Sequence, residues 1–309
     1  MQYRLLGKTG LKVSALSFGG SSLGSVFHEV TEAEGIHTVH TAIDLGLNFI
    51  DVSPYYGLTK AETVLGKALR EVPRDNYYLA TKVGRYGDAE FDFSAGRVRA
   101  SVDESLARLQ VDHIDLIQCH DIEFGSLDQV IQETLPALRE VRQQGKVRFI
   151  GITGLPLRIF QYIAERAEVD AILSYCRYSL NDTSLETFLP FLQQENLGII
   201  SASPLSMGLL TERGAPAWHP APTDIRTACA MAAIYCRARG IAIEQLALQF
   251  ALANPAIHTT LVGSANPENL KKNAAWTETP LDMDLLTEVR AILKPVLNKT
   301  WPSGRPENN

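Results

Sequence analysis

The sequence predicts a (β/α)8 barrel with an N-terminal β-hairpin, on three observations. Eight short apolar runs recur along the chain, separated by polar loops and segments of helical spacing. Such alternation implies a parallel sheet, and eight units in 309 residues fit a closed barrel. The first run ends "FGGSSLG", which misses the G-x-G-x-x-G spacing that an open, doubly wound sheet places there.

The elements follow in order. "YRLLGKTGLKVSAL" holds two β-like runs around Gly7-Lys8-Thr9-Gly10, a glycine-punctuated hairpin. The strand candidates are 15–20, 47–51, 77–82, 114–120, 147–153, 169–175, 197–203 and 258–264. Helical spacing marks 31–45, 94–108 with Ser94 as N-cap, 127–143, 183–195 and 267–275. Residues 224–253 read as two helices broken at Gly240. No stretch resembles an interdomain linker, so 1–309 is expected to be one domain. The tail "TWPSGRPENN" is polar and expected to be irregular.

Composition narrows the functional classes. With 45% apolar and 21% charged residues the chain has the profile of a soluble globular protein. A net charge of −6 without a basic block argues against nucleic acid as a partner. No apolar run approaches the ~20 residues of a membrane span. The start "MQYRLLGKTG" lacks a signal-peptide core. Cys119, Cys176, Cys229 and Cys236 are dispersed, so they read as free thiols in a reducing compartment, with the cytoplasm as the default. No interface pattern stands out, and a monomer is the default.

"NFIDVSPYYG" places Asp51 at the end of an apolar run, where a carboxylate is costly unless paired. In a barrel every strand's C-terminal end opens onto one face, and chemistry is done there. Asp51 closes the second strand, Lys82 the third and His120 the fourth, with Tyr56 just beyond the second. Asp51 is therefore expected to pair with Lys82. A free tyrosine titrates near ~10. A neighbouring ammonium is expected to lower that value and let Tyr56 exchange a proton with a substrate oxygen. His120 would orient that oxygen. Taken singly, each residue has an ordinary structural role; four together at predicted strand ends point to catalysis. Cys119, His120 and Asp121 are adjacent but alternate between faces, so no metal site is expected.

These residues carry a resemblance. "LGKTGLKVSALSFGG", "DVSPYYG", "LATKVG", "SLARLQVDHIDLIQCH", "GKVRFIGIT" and "SPLSMGLL" resemble, in order and spacing, the aldo-keto reductases over essentially the whole chain. The resemblance implies a barrel that binds a nicotinamide cofactor without a Rossmann fold. It implies a tetrad on Asp51, Tyr56, Lys82 and His120, with Tyr56 moving the proton. It places the cofactor near Gly20, Ser21, Asp51 and Thr153. It puts the pyrophosphate on Ser203, Pro204, Leu205 and Gly208, and the adenosine by Gly263, Ser264, Asn269 and Asn273. The usual Ser-Asn after the fifth strand is Thr153-Gly154 here, and the usual aromatic before "SPL" is Ala202, for which Tyr175 or Tyr178 could compensate. Gly263, Asn266 and Asn269 stand where cations would bind a 2′-phosphate, so NAD is expected over NADP.

"CHDIEFGSLDQV", "GITGLPLRIF", "ILSYCRYSLND" and "TWPSG" resemble a sugar-oxidising subgroup of that family. They imply oxidation of an aldose at C1 to its lactone with Tyr56 as general base, L-galactose being the expected substrate and L-fucose or another aldose remaining open. Candidate sugar contacts over the mouth are Phe27, His28, Tyr86, Asp121, Glu123, Phe124, Trp218 and His219, with Tyr56 and His120 below. The competing readings are an NADPH-dependent reductase of aldehydes or ketones, and a nucleotide-sensing subunit with little turnover.

Overall fold

A computed structural model describes residues 1–26 and 28–309. Phe27, one of the candidate sugar contacts, lies outside the described residues.

The hairpin pairs β1 (Tyr3–Leu5) antiparallel with β2 (Lys12–Ser14). Eight parallel strands then close into a barrel: β3 (Leu16–Gly19), β4 (Phe49–Asp51), β5 (Tyr78–Val83), β6 (Ile114–Cys119), β7 (Val147–Gly154), β8 (Ala171–Tyr175), β9 (Gly198–Ala202) and β10 (Thr259–Gly263). Each pairs with its neighbour in chain order, and β10 closes on β3. The (β/α)8 expectation therefore holds.

Alternation along the strands divides the buried side chains into two layers. Phe49, Ala80, Leu116, Ala171, Leu173, Ile200 and Leu261 fill the barrel interior. Leu6, Leu11 and Val13 of the hairpin region join that cluster, so the hairpin plugs the N-terminal end. The plug is tied down: Lys8 N donates to Asn196 O (2.9 Å), and Arg4 donates to the carbonyls of Leu252, Asn254 and Ile257. With that end sealed, the interior is reached from the strands' C-terminal ends.

The outward strand faces pack under helices. Those at Glu32–Asp44, Ala95–Leu109 and Pro267–Trp276 match the predicted spans closely. Thr223–Ala238 and Ile243–Ala253 flank Gly240 as expected, the glycine supplying a φ of +75°. Three details differ. Ser94 sits at an N-cap position, but its side chain makes no cap bond. The span 127–143 is interrupted by a π-turn at Val130–Thr134. The span 183–195 is a 3-10 turn, Ser184–Thr187, followed by a short helix, Leu189–Gln194. Helices at Lys60–Leu69, Arg158–Ala164 and Met283–Leu293 complete the layer.

The helix Lys60–Leu69 matters for the site because it is anchored beside β5. Glu62 is fully buried and accepts from Thr81 Oγ1 (2.6 Å) and Arg108 Nε (2.7 Å). Thr81 directly precedes Lys82. Glu62→Ala would leave the buried Thr81 hydroxyl without its acceptor, while Arg108, 21% exposed, keeps Ser105 Oγ (3.2 Å); a buried donor left unmet costs roughly 1–3 kcal/mol. Urea unfolding with an unchanged m-value is expected to show a loss of that size. A loss under ~1 kcal/mol would mean that water takes over the carboxylate's role.

Candidate active site

Asp51, Lys82, His120 and Tyr56 meet at the open end of the barrel. Lys82 is 1% exposed and Asp51 3%. The ammonium spends all three protons: on Asp51 Oδ1, on Val52 O (2.9 Å) and on Tyr56 Oη (3.3 Å). The other Asp51 oxygen accepts from Gln118 Nε2 (2.7 Å), the residue opposite Lys82 in the β5–β6 register. Both carboxylate oxygens are thus engaged inside the barrel. Burial alone would pull the Lys82 ammonium down, but Asp51 and Tyr56 outweigh it and hold the pKa above its ordinary value.

Tyr56 departs from the expectation. Burial pushes the phenol above its ordinary value, and this outweighs the downward pull of Lys82. The sequence shows the cation but not the depth at which the hydroxyl sits. The Tyr56 loop itself is held by backbone packing. Gly57 has a φ of +61°, and a Cβ on Gly24 would lie 2.6 Å from the Tyr56 carbonyl.

The His120 ring stands edge-on to Tyr56, centroids 5.8 Å apart, and Tyr55 lies 5.9 Å away on another side. Burial drives its pKa down to about 3, so the imidazole is neutral at physiological pH. Nδ1 lies 3.0 Å from Ser53 Oγ, which also accepts from Tyr55 N (3.2 Å). If the Ser53 hydroxyl donates to Nδ1, then Nε2 carries the proton and can donate at the mouth.

Asp121 follows His120 with a left-handed φ of +50°. Its Oδ2 pairs with Arg85 Nη1 (2.5 Å) and lies 3.7 Å from His120 Nε2. Its backbone N–H donates to Thr153 Oγ1 (2.9 Å), which keeps a second lone pair. Tyr86 is turned away from this group. Its hydroxyl accepts from Gly84 N (3.1 Å) and its ring lies under Arg97, on the side of the helix Ala95–Leu109. Trp218 is 55% exposed and stacks on His219. Both His219 nitrogens are engaged, with Ser206 O and Ala221 N.

Glu123 occupies the rim beside β7. Its Oε1 accepts from Leu155 N (3.1 Å), Tyr175 Oη (3.1 Å) and Ser303 Oγ (3.0 Å), while Oε2 is buried without a partner among the described residues. A Cβ on Gly154 would lie 2.3 Å from Ile159 Cδ1 and 2.7 Å from that Oε2, so a side chain at position 154 would have to displace both. The glycine that stands where the resemblance places asparagine thus packs directly against Ile159 and Glu123. Tyr175 is paired in register with Ala202, whereas Tyr178 stacks on Phe250 in the outer layer, which leaves Tyr175 as the aromatic at the mouth. The tail closes over the rim. Arg305 N and Asn308 Nδ2 both donate to Glu123 O at 2.9 Å, and Trp301 packs edge-on to His219.

The profile of the aldo/keto reductase family matches residues 15–294. The chain belongs to the aldo/keto reductase family. It is 54% identical over 317 residues to L-galactose dehydrogenase of Arabidopsis thaliana, covering 100% of this chain and 99% of that protein. It is 32% identical over 320 residues to D-arabinose 1-dehydrogenase of Saccharomyces cerevisiae, covering 95% of each. A holo-form aldo-keto reductase from Bacillus halodurans superposes with a TM-score of 0.80 at 27% identity, over 98% of both chains.

Aldo-keto reductases are oxidoreductases that use a nicotinamide cofactor, and the residues here fit one. The backbone is left-handed at Ser203, Ser206, Met207 and Gly208, and the loop turns on itself, the N–H groups of Ser206, Gly208, Leu209 and Leu210 donating to the carbonyls of Ser203, Leu205 and Ser206. Ser206 Oγ fixes that loop by donating to Asn181 Oδ1 (2.7 Å). Gly20 lies against the tetrad, where a Cβ would stand 3.0 Å from Asp51 O. Ser21 Oγ lies 3.2 Å from the Cβ position of Gly263, next to Ser264. Asn269 is exposed and Asn273 half-buried on the helix that follows.

Sequence reasoning missed Ser53, Gln118, Arg85 and Tyr55. Gln118 had a signal, since it stands two residues before His120 on one strand and so shares its face. Arg85 had none.

Burial, aided by the nearby Asp121, pushes the Glu123 carboxyl up to about 8. The unfolded chain ionises near ~4.3, so folding takes up a proton between that value and pH 8. Stability is therefore expected to fall as pH rises through this window, by up to ~1.4 kcal/mol per unit, and to level off above it. Glu123→Gln does not titrate. Its melting temperature relative to the parent is expected to climb from pH 5 to pH 8; parallel curves would refute the protonated carboxyl.

Proposed function

We propose that this chain is an NAD-dependent sugar dehydrogenase that oxidises an aldose at C1 to the aldonolactone, with L-galactose as substrate. The full-length similarity to the Arabidopsis L-galactose dehydrogenase carries the reading, and the similarity to an arabinose 1-dehydrogenase supports the same bond and the same carbon. We read residues 1–309 as one domain that works on a small sugar. Four buried free cysteines support a cytoplasmic setting.

Tyr56 is the proposed general base. As phenolate it takes the proton of the C1 hydroxyl, and the Lys82 ammonium at 3.3 Å stabilises the charge it carries in that state. Asp51 and Gln118 hold Lys82 in place and keep it protonated. Neutral His120 donates from Nε2 to the same substrate oxygen and fixes its orientation. Gly20, Ser21, Thr153, Ser203, Pro204, Leu205, Gly208, Gly263, Ser264, Asn269 and Asn273 would hold the cofactor. Bound NAD supplies the oxidising group that receives hydride from C1.

The preference for NAD rests on what is missing around the adenosine end. Asn266 spends its side chain on the cap of its own helix, accepting from Glu268 N (2.9 Å). Lys271 is paired with Glu268 (2.7 Å). Gly263 and Asn269 bring no charge and Lys272 is exposed on the helix, so among the described residues a 2′-phosphate finds no buried cation there.

Two measurements test this. Initial rates by absorbance of the reduced cofactor are expected to be highest with NAD and L-galactose across a panel of aldoses. Faster turnover of NADPH with simple aldehydes would favour the reductase reading. Because burial holds the Tyr56 phenol high, the oxidation rate is expected to rise with pH into the alkaline range, and Lys82→Met is expected to move that rise further up. Tyr56→Phe is expected to lower kcat by ~10²–10⁴-fold with NAD binding by titration calorimetry unchanged. Near-normal kcat in Tyr56→Phe would remove tyrosine from the role of base.

A further inference from the structure

We propose that Arg85 and Asp121 form a donor–acceptor pair that reads a hydroxyl beside the reacting carbon and so sets the preference for polyhydroxylated substrates. The inference rests on the reading that His120 and Tyr56 hold the reacting oxygen of a sugar.

The pair is placed for this. One Asp121 oxygen lies 2.5 Å from Arg85 Nη1 and 3.7 Å from His120 Nε2, so a single oxygen separates the guanidinium from the imidazole. Asp121 is fixed from behind by Thr153, which accepts its N–H and donates to its Oδ1 (3.3 Å). Arg85 is fixed by aromatic rings. Its Cζ stands 3.8 Å from the Tyr55 centroid, 5.2 Å from Phe91 and 5.6 Å from Phe124. Phe91 and Phe124 stack on each other at 4.6 Å, and Tyr55 is pinned by donating to Asp88 (2.9 Å).

So much immobilisation leaves most of the guanidinium unspent. Of its five N–H donors only Nη1 has an acceptor among the described residues, and Nε is buried without one. Asp121 gives its other oxygen to Thr153, so the guanidinium and the carboxylate meet through one oxygen and not as a bidentate fork. A planar donor and a carboxylate acceptor side by side match a hydroxyl, which accepts from one and donates to the other. An aldose carries such a group on C2, next to the carbon that reacts; a simple aldehyde does not. A site that binds a hydroxyl with buried polar groups rejects the analogue lacking it, because those groups are then left unpaired.

The test is kcat/KM for L-galactose and 2-deoxy-L-galactose, with the parent, Arg85→Met and Arg85→Lys. The parent is expected to favour L-galactose by at least ~10-fold, the worth of one charge-assisted hydrogen bond. Arg85→Met is expected to collapse that ratio towards one, with the loss falling on L-galactose. Arg85→Lys keeps the charge against Asp121 but lacks the planar fork, and is expected to lose the same discrimination while melting at the parent's temperature. Equal losses on both sugars in either variant would make Arg85 a structural residue and overturn this proposal alone. A parent that does not discriminate would do the same. If the parent oxidises no aldose with either cofactor, the sugar dehydrogenase reading falls and takes this proposal with it.

Discussion

An ammonium sealed inside a protein must satisfy every proton it carries, and at Lys82 that requirement organises the mouth of the barrel. Its three acceptors come from the end of β4, from the residue after it and from the loop beyond. Removing one partner of such a pair costs roughly 3–5 kcal/mol, because the remaining charge stays buried. The strand register, the Gln118 bond to Asp51 and the tight approach of Gly24 to the Tyr56 backbone follow as conditions for keeping the ammonium satisfied. The same interaction places a phenol and a neutral imidazole around one point, which is the arrangement the proposed chemistry uses.

Beyond that point the mouth is layered by charge. The Lys82–Asp51 pair lies deepest, uncharged His120 and Tyr56 stand above it, and the Arg85–Asp121 pair flanks them. His120 stays neutral chiefly because it is buried, with Lys82 and Arg85 adding to the effect. Glu123 lies outside this group and links it to the tail, through Ser303, Arg305 and Asn308. The two ends of the barrel are therefore treated differently. The hairpin plugs one, and the tail and loops build a rim around the other.

Much of this is legible in the amino-acid sequence. Eight apolar runs with helical segments between them lead to the barrel, and Asp51, Lys82, His120 and Tyr56 come together because strand ends share a face. The finer geometry is not legible there. Tyr86 and Tyr55 look alike in sequence; one folds against an outer helix and the other stacks on Arg85 beside His120. The tail reads as polar and irregular, and apart from the turn Pro306–Asn308 it has no regular structure, yet its amides clamp the Glu123 backbone. A polar residue such as Asn308 carries no mark of the partner it finds 185 positions away.

Periodicity and spacing are sufficient to specify a closed parallel barrel and to bring four chemical groups to one end of it, because alternation along a strand is a local property. The direction of the Tyr56 pKa, the neutrality of His120, the packing of Glu123 and Ile159 against Gly154 and the half-spent fork of Arg85 need the folded chain. Each depends on how deeply a group is buried and what packs against it, and both quantities are set by residues distant in sequence.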